Sequence, residues 1–219
     1  HEHLILPQLK VRSSVMRTAA INADLKSCIS APDFAIRPRA DGGYTVAPNT
    51  AIWFELTPDA LRFLGLFKKL AWMAKGHLRP SVGNAFTQAR RFQKMAVAGK
   101  GEPFVTHRVL DPPPVQHLLD KARSCLARDF PVFRDAAIAQ QWAGMIDVTP
   151  DAVPVISEIP QQPGFFVATG FSGHGFGIGP AAGELAADLV MNETPLVDPK
   201  PFRFSRFSDG SQIYPIIGI

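Results

Sequence analysis

At 219 residues, 46 % hydrophobic and 19 % charged, the chain has enough apolar content to bury one large domain or two small ones. Its net charge of +4 is scattered over residues such as Arg12, Arg17, Lys68, Lys69, Arg90 and Arg91, so no concentrated basic face argues for nucleic acid. The apolar stretch Leu61 to Ala74 is interrupted by Arg62, Lys68 and Lys69, which argues against a membrane span, and no signal peptide is visible. Cys28 and Cys125 form no disulfide framework or metal-ligand spacing. No metal is expected, and the setting reads as reducing and cytoplasmic, with peripheral contact to a membrane left open. The opening His1-Glu2-His3-Leu4 reads as if entered mid-chain.

Residues 9–19 alternate and are rich in β-branched types, which predicts a strand. Phe34 to Arg39 and Tyr44 to Ala47 flank Asp41-Gly42-Gly43, a hairpin. Thr57 as N-cap and Pro58 in the first turn open a helix whose apolar stripe runs through Leu61, Leu64, Phe67 and Leu70 until Gly76. A second helix is expected from Ala85 to Ala98, ending at Gly99. After the Asp111-Pro112-Pro113-Pro114 break, a third helix spans Val115 to Asp129. Ile138 to Val148 reads as a strand, and Thr149-Pro150-Asp151 as a turn. Gly164 to Thr169 is a short buried strand, followed by a glycine-rich stretch from Gly170 to Pro180 and an Ala-rich helix from Ala181 to Met191. The tail beyond Pro195 reads as packed but irregular.

A strand, a glycine-rich turn and a helix in succession put backbone N–H groups at a helix N-terminus, a site that favours an anion or a polarised carbonyl. The glycines also let something flat approach the backbone. The segment is not a dinucleotide fingerprint. Gly175-x-Gly177 lacks the third glycine in register, and no acidic residue ends a following strand. No Lys or Ser/Thr follows in P-loop order either, which leaves a phosphate-binding module as a weaker reading.

The run Trp142-Ala143-Gly144-Met145-Ile146-Asp147-Val148-Thr149-Pro150-Asp151-Ala152-Val153-Pro154-Val155-Ile156 resembles the "W-A-G … T-P-D-x-x-P-x-I" segment of the D-amino-acid dehydrogenase, glycine oxidase and sarcosine oxidase family. Phe166 to Pro180 resembles that family's closing flavin-contacting segment, in the same order and spacing. The resemblance implies an α+β protein. Residues 1–137 would form a substrate lobe with a mixed sheet and helices, 138–195 would return to an FAD-binding, Rossmann-like domain, and 196–219 would be a tail. The N-terminal part of that FAD domain would lie outside this sequence, either upstream or in a partner subunit. The implied cofactor is FAD and the implied chemistry is hydride transfer from the amine-bearing carbon of an amino acid or secondary amine, giving an imine. The alternative is a non-catalytic or partner-dependent subunit that retains the fold.

By that resemblance the cofactor contacts are Gly170, Phe171, Ser172, Gly173, His174, Gly175, Phe176, Gly177 and Ile178, with His174 also facing substrate. Arg37, a side chain able to grip a carboxylate in two bonds, and Tyr44 across the hairpin are the other substrate candidates. Many relatives resemble "W-A-G-L-R-P" where this chain has Ile146 and Asp147. Asp147 would favour a cationic part of the substrate if it faces the cavity, or else it caps the Thr149-Pro150 turn. No residue is assigned a catalytic proton transfer. His77, His107 and His117 read as packed or solvated, and Phe63, Phe67, Trp72 and Phe92 as core.

Overall fold

Strand β1 (Leu9–Thr18) organises the fold through its alternation. Ser14, Met16 and Thr18 are buried on one face, while Leu9 and Val11 turn to the other. In the computed structural model, which describes residues 4–49, 52–97 and 109–215, β1 pairs along its whole length with β7 (Ile138–Val148). Its other edge is shared by β4 (Tyr44–Pro48) and β5 (Ile52–Glu55), one at each end. β2 (Ile29–Ser30) and β3 (Phe34–Pro38) extend the sheet beyond β4, and β6 (Leu78–Ser81) extends it beyond β5. All pairs are antiparallel except β5 with β6, so the described part is α+β with a mixed sheet. The expected hairpin is β3–β4, with Gly42 at φ +78° and Gly43 so close to Thr18 that a Cβ would lie 2.6 Å from its carbonyl oxygen.

The two sheet faces are covered differently. Met16, Phe34, Ile36, Tyr44 and Val46 pack against Leu119, Ala122, Cys125 and Leu126 of a helix at Gln116–Asp129. The opposite face meets two short helices, α1 (Pro58–Arg62) and α2 (Leu64–Met73), through Phe63, Phe67 and Val148. Thr57 caps α1 as the sequence suggests, accepting from the Ala60 amide at 3.3 Å. The single helix expected to Gly76 is instead broken at Phe63, whose φ of −99° and ψ of 9° leave the helical region. α3 (Ala85–Val97) follows β6, and the expected end of that helix at Ala98 and Gly99 lies outside the described residues. The helix at Gln116–Asp129 is α4.

Beyond Val148 the chain builds a second, smaller unit. β8 (Val155–Glu158) and β9 (Phe166–Thr169) form an antiparallel pair, followed by α5 (Gly175–Met191). Ile156, Ala182 and Leu185 pack on one side of the pair, and Val155, Ile159 and Phe204 of the tail on the other. Two expectations change here. Residues 138–148, grouped by sequence with the closing unit, belong to the large sheet through ten paired positions with β1. The last helix begins at Gly175, six residues before Ala181. The His174 carbonyl accepts from the Gly177 and Ile178 amides and winds the glycines into the first turn. Pro180 lies inside the helix, one turn beyond its start, where it has no amide to donate to the Phe176 carbonyl. The helix ends in a left-handed residue, Asn192 at φ 56°.

Candidate active site

The glycine loop is held by backbone geometry. Gly170 leaves β9 at φ +73°, and its amide donates to Asp147 Oδ2 at 2.8 Å. Gln8 Nε2 donates to the same oxygen at 3.0 Å, so the carboxylate ties the start of the chain, β7 and the loop together. The Ser172 amide donates to the Asp147 carbonyl at 3.1 Å, and the Thr149 amide donates to Ser172 Oγ at 3.3 Å. Ser172 is buried in the left-handed region at φ 51°, a conformation that costs a non-glycine residue about 1–2 kcal/mol. A Cβ on Gly170 would lie 2.5 Å from Thr149 Cγ2. Loop and turn therefore fit only as a pair.

This framework presents an exposed face from Gly173 to Ile178. Phe176 is fully exposed and Ile178 exposed. Added Cβ atoms on Gly177 and Gly179 would stand in open space. A flat ring approaching the first turn of α5 thus meets glycine backbone, apolar side chains and the amides of Gly175 and Phe176, which lack an intrahelical acceptor by the geometry of any helix start. Those groups fit the ring of a flavin.

On the other side of Gly173 lies a cavity of about 620 Å³ between the sheet and α1–α2. Leu9, Val11, Phe54, Leu64, Phe67 and Ile146 are part of its mostly apolar wall, and His77 stands on its lining. Ile146 joins cavity and loop. It lines the cavity, and a Cβ on Gly173 would touch its Cδ1 at 3.6 Å.

The residues singled out from sequence separate accordingly. Gly173 to Ile178 form the exposed face, with His174 exposed on it and outside the cavity lining. Phe171 is partly buried against Ile156, Ala182 and Leu185, and the Ser172 side chain is turned into the protein. Tyr44 does not line the cavity. Alternation turns it to the opposite sheet face, where it is buried edge-on against Phe133 with its hydroxyl 2.7 Å from the Ala23 carbonyl. Asp147 likewise points away from the cavity that its neighbours Ile146 and Val148 line, and it caps the loop at Gly170 instead of the Thr149-Pro150 turn. Arg37 is exposed and does not line the cavity; alternation along β3 turns it away from the face that buries Phe34 and Ile36. Of the aromatics expected in the core, Phe63 and Phe67 are buried there, Phe67 also lining the cavity, whereas Trp72 is 70 % exposed on the outer side of α2. The sequence reading did not single out Leu9, Val11 and Phe54 as cavity wall. Their alternation in β1 and β5 was the available signal. His107 lies outside the described residues. Among the described residues no cluster of His, Cys, Asp or Glu could hold a metal, and no helix is long and apolar enough to cross a membrane.

Known proteins match this arrangement. N-methyl-L-tryptophan oxidase of Salmonella typhimurium is 47 % identical over 62 residues, which is 28 % of this chain and 17 % of that protein. Sarcosine oxidase subunit beta of an Arthrobacter species is 32 % identical over 97 residues, covering 44 % of this chain and 24 % of the relative. The solved L-amino acid deaminase of Proteus myxofaciens, in complex with anthranilate, superposes with a TM-score of 0.87 at 28 % identity, over 94 % of this chain and 46 % of that one. The chain thus spans less than half the length of these proteins. A family model described as FAD dependent oxidoreductase matches residues 2–189. The chain belongs to this DAO family of FAD-dependent oxidoreductases, and its cofactor is FAD.

Proposed function

We propose that this chain carries the substrate-facing part of an oxidoreductase that removes hydride from the amine-bearing carbon of an amino acid or secondary amine with a bulky apolar group. When bound, FAD would supply the hydride acceptor; the iminium left on the substrate, or the imine formed once it loses its N–H proton, takes up water and breaks down to a carbonyl compound and an amine. The observation that carries the reading is the position of Ile146, which walls the apolar cavity and packs beneath Gly173 at the edge of the exposed loop face. A substrate seated in the cavity would hold its apolar group against Val11, Phe54 and Phe67, with its amine-bearing carbon towards Gly173. The first turn of α5 would face the pyrimidine edge of the flavin, where its amides stabilise negative charge. His174 would contact the flavin or the substrate from the same face. Arg37, exposed outside the cavity lining, is the candidate to meet a carboxylate. The Salmonella relative is an N-methyl-L-tryptophan oxidase, and N-methyl-L-tryptophan is a secondary amine with a large apolar side chain, which supports the same substrate class.

The dinucleotide-binding turn would come from the rest of the intact protein or from a separate chain. One relative being a named subunit of a sarcosine oxidase favours a partner-dependent version of the same reading.

Anaerobic mixing of the intact protein with a panel of amines, read as loss of oxidised flavin absorbance, tests the proposal. Amino acids and N-methyl amino acids with large apolar side chains should reduce the flavin at least about 10-fold faster than glycine or aspartate, since each well-placed methylene is worth about 1–3 kcal/mol. Fastest reduction by glycine, or none by any amine, would reject it.

A further inference from the structure

Outside the site, the most completely buried charges in the described chain are Arg206, in the tail, and Asp151, in the turn after β7, at 4 % and 8 % side-chain exposure. They meet in two parallel bonds, Nε to Oδ2 at 2.8 Å and an Nη to Oδ1 at 3.1 Å. The same guanidinium also donates to the carbonyls of Val153 at 2.7 Å and Arg203 at 3.0 Å, and it stacks over the Phe207 ring. Burying two charges is costly, and such a pair persists where its geometry and extra hydrogen bonds are nearly complete.

The pair grips the segment that shapes the glycine loop. Asp151 Oδ1 accepts from the Val153 amide, spanning Ala152, a non-glycine residue at φ 59°. The Thr149 hydroxyl donates to the Val153 carbonyl at 2.8 Å, so Arg206 and Thr149 share one acceptor. Thr149 in turn touches both unusual positions of the loop. Its amide bonds Ser172 Oγ, and its methyl fills the space beside Gly170. Left-handed residues outside glycine persist only where their surroundings over-determine them. Here two of them, Ala152 and Ser172, flank one continuous hydrogen-bonded path from the tail to the loop.

We infer that Arg206 is a positioning residue for the cofactor loop: through Asp151, Val153 and Thr149 it sets the conformation of Gly170–Gly173. It touches neither cofactor nor substrate. The link from loop shape to flavin binding rests on the proposed contact of this loop with FAD; the link from Arg206 to the loop does not.

The test uses the intact protein with Arg206→Lys, which keeps the charge but loses the two-pronged fork, alongside Asp151→Asn and Arg206→Met. Hydrogen exchange at the Gly170 and Ser172 amides reads the loop directly, and FAD dissociation with the flavin absorption spectrum reads its consequence. In Arg206→Lys, exchange at both amides should accelerate at least about 10-fold while amides of β3 and β4 stay within about 2-fold, and FAD affinity should fall by a similar factor. Arg206→Met should exceed both effects; if it fails to fold, the Lys and Asn variants decide. A drop in melting temperature without faster exchange at Gly170 and Ser172 would overturn the inference. Faster exchange with unchanged FAD affinity and spectrum would uphold the clamp and reject the loop–flavin contact.

Discussion

The cavity face of the large sheet and the loop unit that follows it are built from different materials. The cavity wall is made mostly of apolar side chains on regular strands and helices, among them Leu9, Val11, Phe54, Leu64 and Phe67, with Arg12, paired with Glu55, beside them. The loop is made of backbone, four positive-φ residues around one turn (Ala152, Gly170, Ser172 and Gly173), fixed by Asp147, Thr149 and the Arg206–Asp151 pair. Side chains of a cavity can be exchanged one at a time at modest cost, and so change what it accepts. A loop whose conformation is over-determined tolerates little. On the proposed function, substrate choice belongs to the first region and cofactor geometry to the second.

The sharpest way to break the contrast is Gly170→Ala. It combines a left-handed backbone at φ +73° with a Cβ 2.5 Å from Thr149 Cγ2, so unfolding in denaturant should show a loss of about 2–4 kcal/mol. A loss below about 1 kcal/mol would mean that the loop is adaptable. Asp147→Ala comes next. It strips the acceptor from the Gly170 amide and Gln8, and should cost about 1–3 kcal/mol in the same assay while leaving the preference among substrates unchanged. Ile146→Ala belongs to the other region. There kcat/KM for the best apolar substrate should fall about 10-fold, with a smaller change for glycine.

Smaller effects sharpen the same picture. Gly183 lies inside α5, and a Cβ there meets nothing, so Gly183→Ala should raise stability by about 0.5–1 kcal/mol. At the tail, hydrogen bonding from Ser211, aided by Arg203, holds the Asp209 carboxyl down at about 2. A carboxyl depressed on folding stabilises above its unfolded pKa of about 3.9, and that contribution fades as pH falls towards about 2. Protection of the tail amides near Asp209, measured relative to their intrinsic exchange rates, should weaken in that window, and Asp209→Asn should remove that change.

Much of the fold was legible because the signals were local. The alternation of residues 9–18, the Asp-Gly-Gly hairpin and the Thr57 cap each act over a few residues and survive in the structure. The start of α5 was misread because glycines and Pro180 score as breakers, whereas a single carbonyl at His174 suffices to wind the first turn. The turn between β9 and α5 was legible from its glycines, two of which, Gly170 and Gly173, take a positive φ. The direction of Asp147 was decided by strand alternation once Ile146 was known to face the cavity, and that of Tyr44 by the helix packed on its side of the sheet. The Arg206–Asp151 pair spans 55 positions, and nothing local in the tail announces it.

The most direct measurement of the central claim is a crystal structure of the intact protein with FAD and an apolar N-methyl amino acid bound. The account predicts the flavin ring against Gly173 to Ile178, the first turn of α5 at its pyrimidine edge, and the ligand's apolar group among Val11, Phe54, Phe67 and Ile146. A flavin ring lying away from Gly173, or a ligand seated outside that cavity, would contradict it.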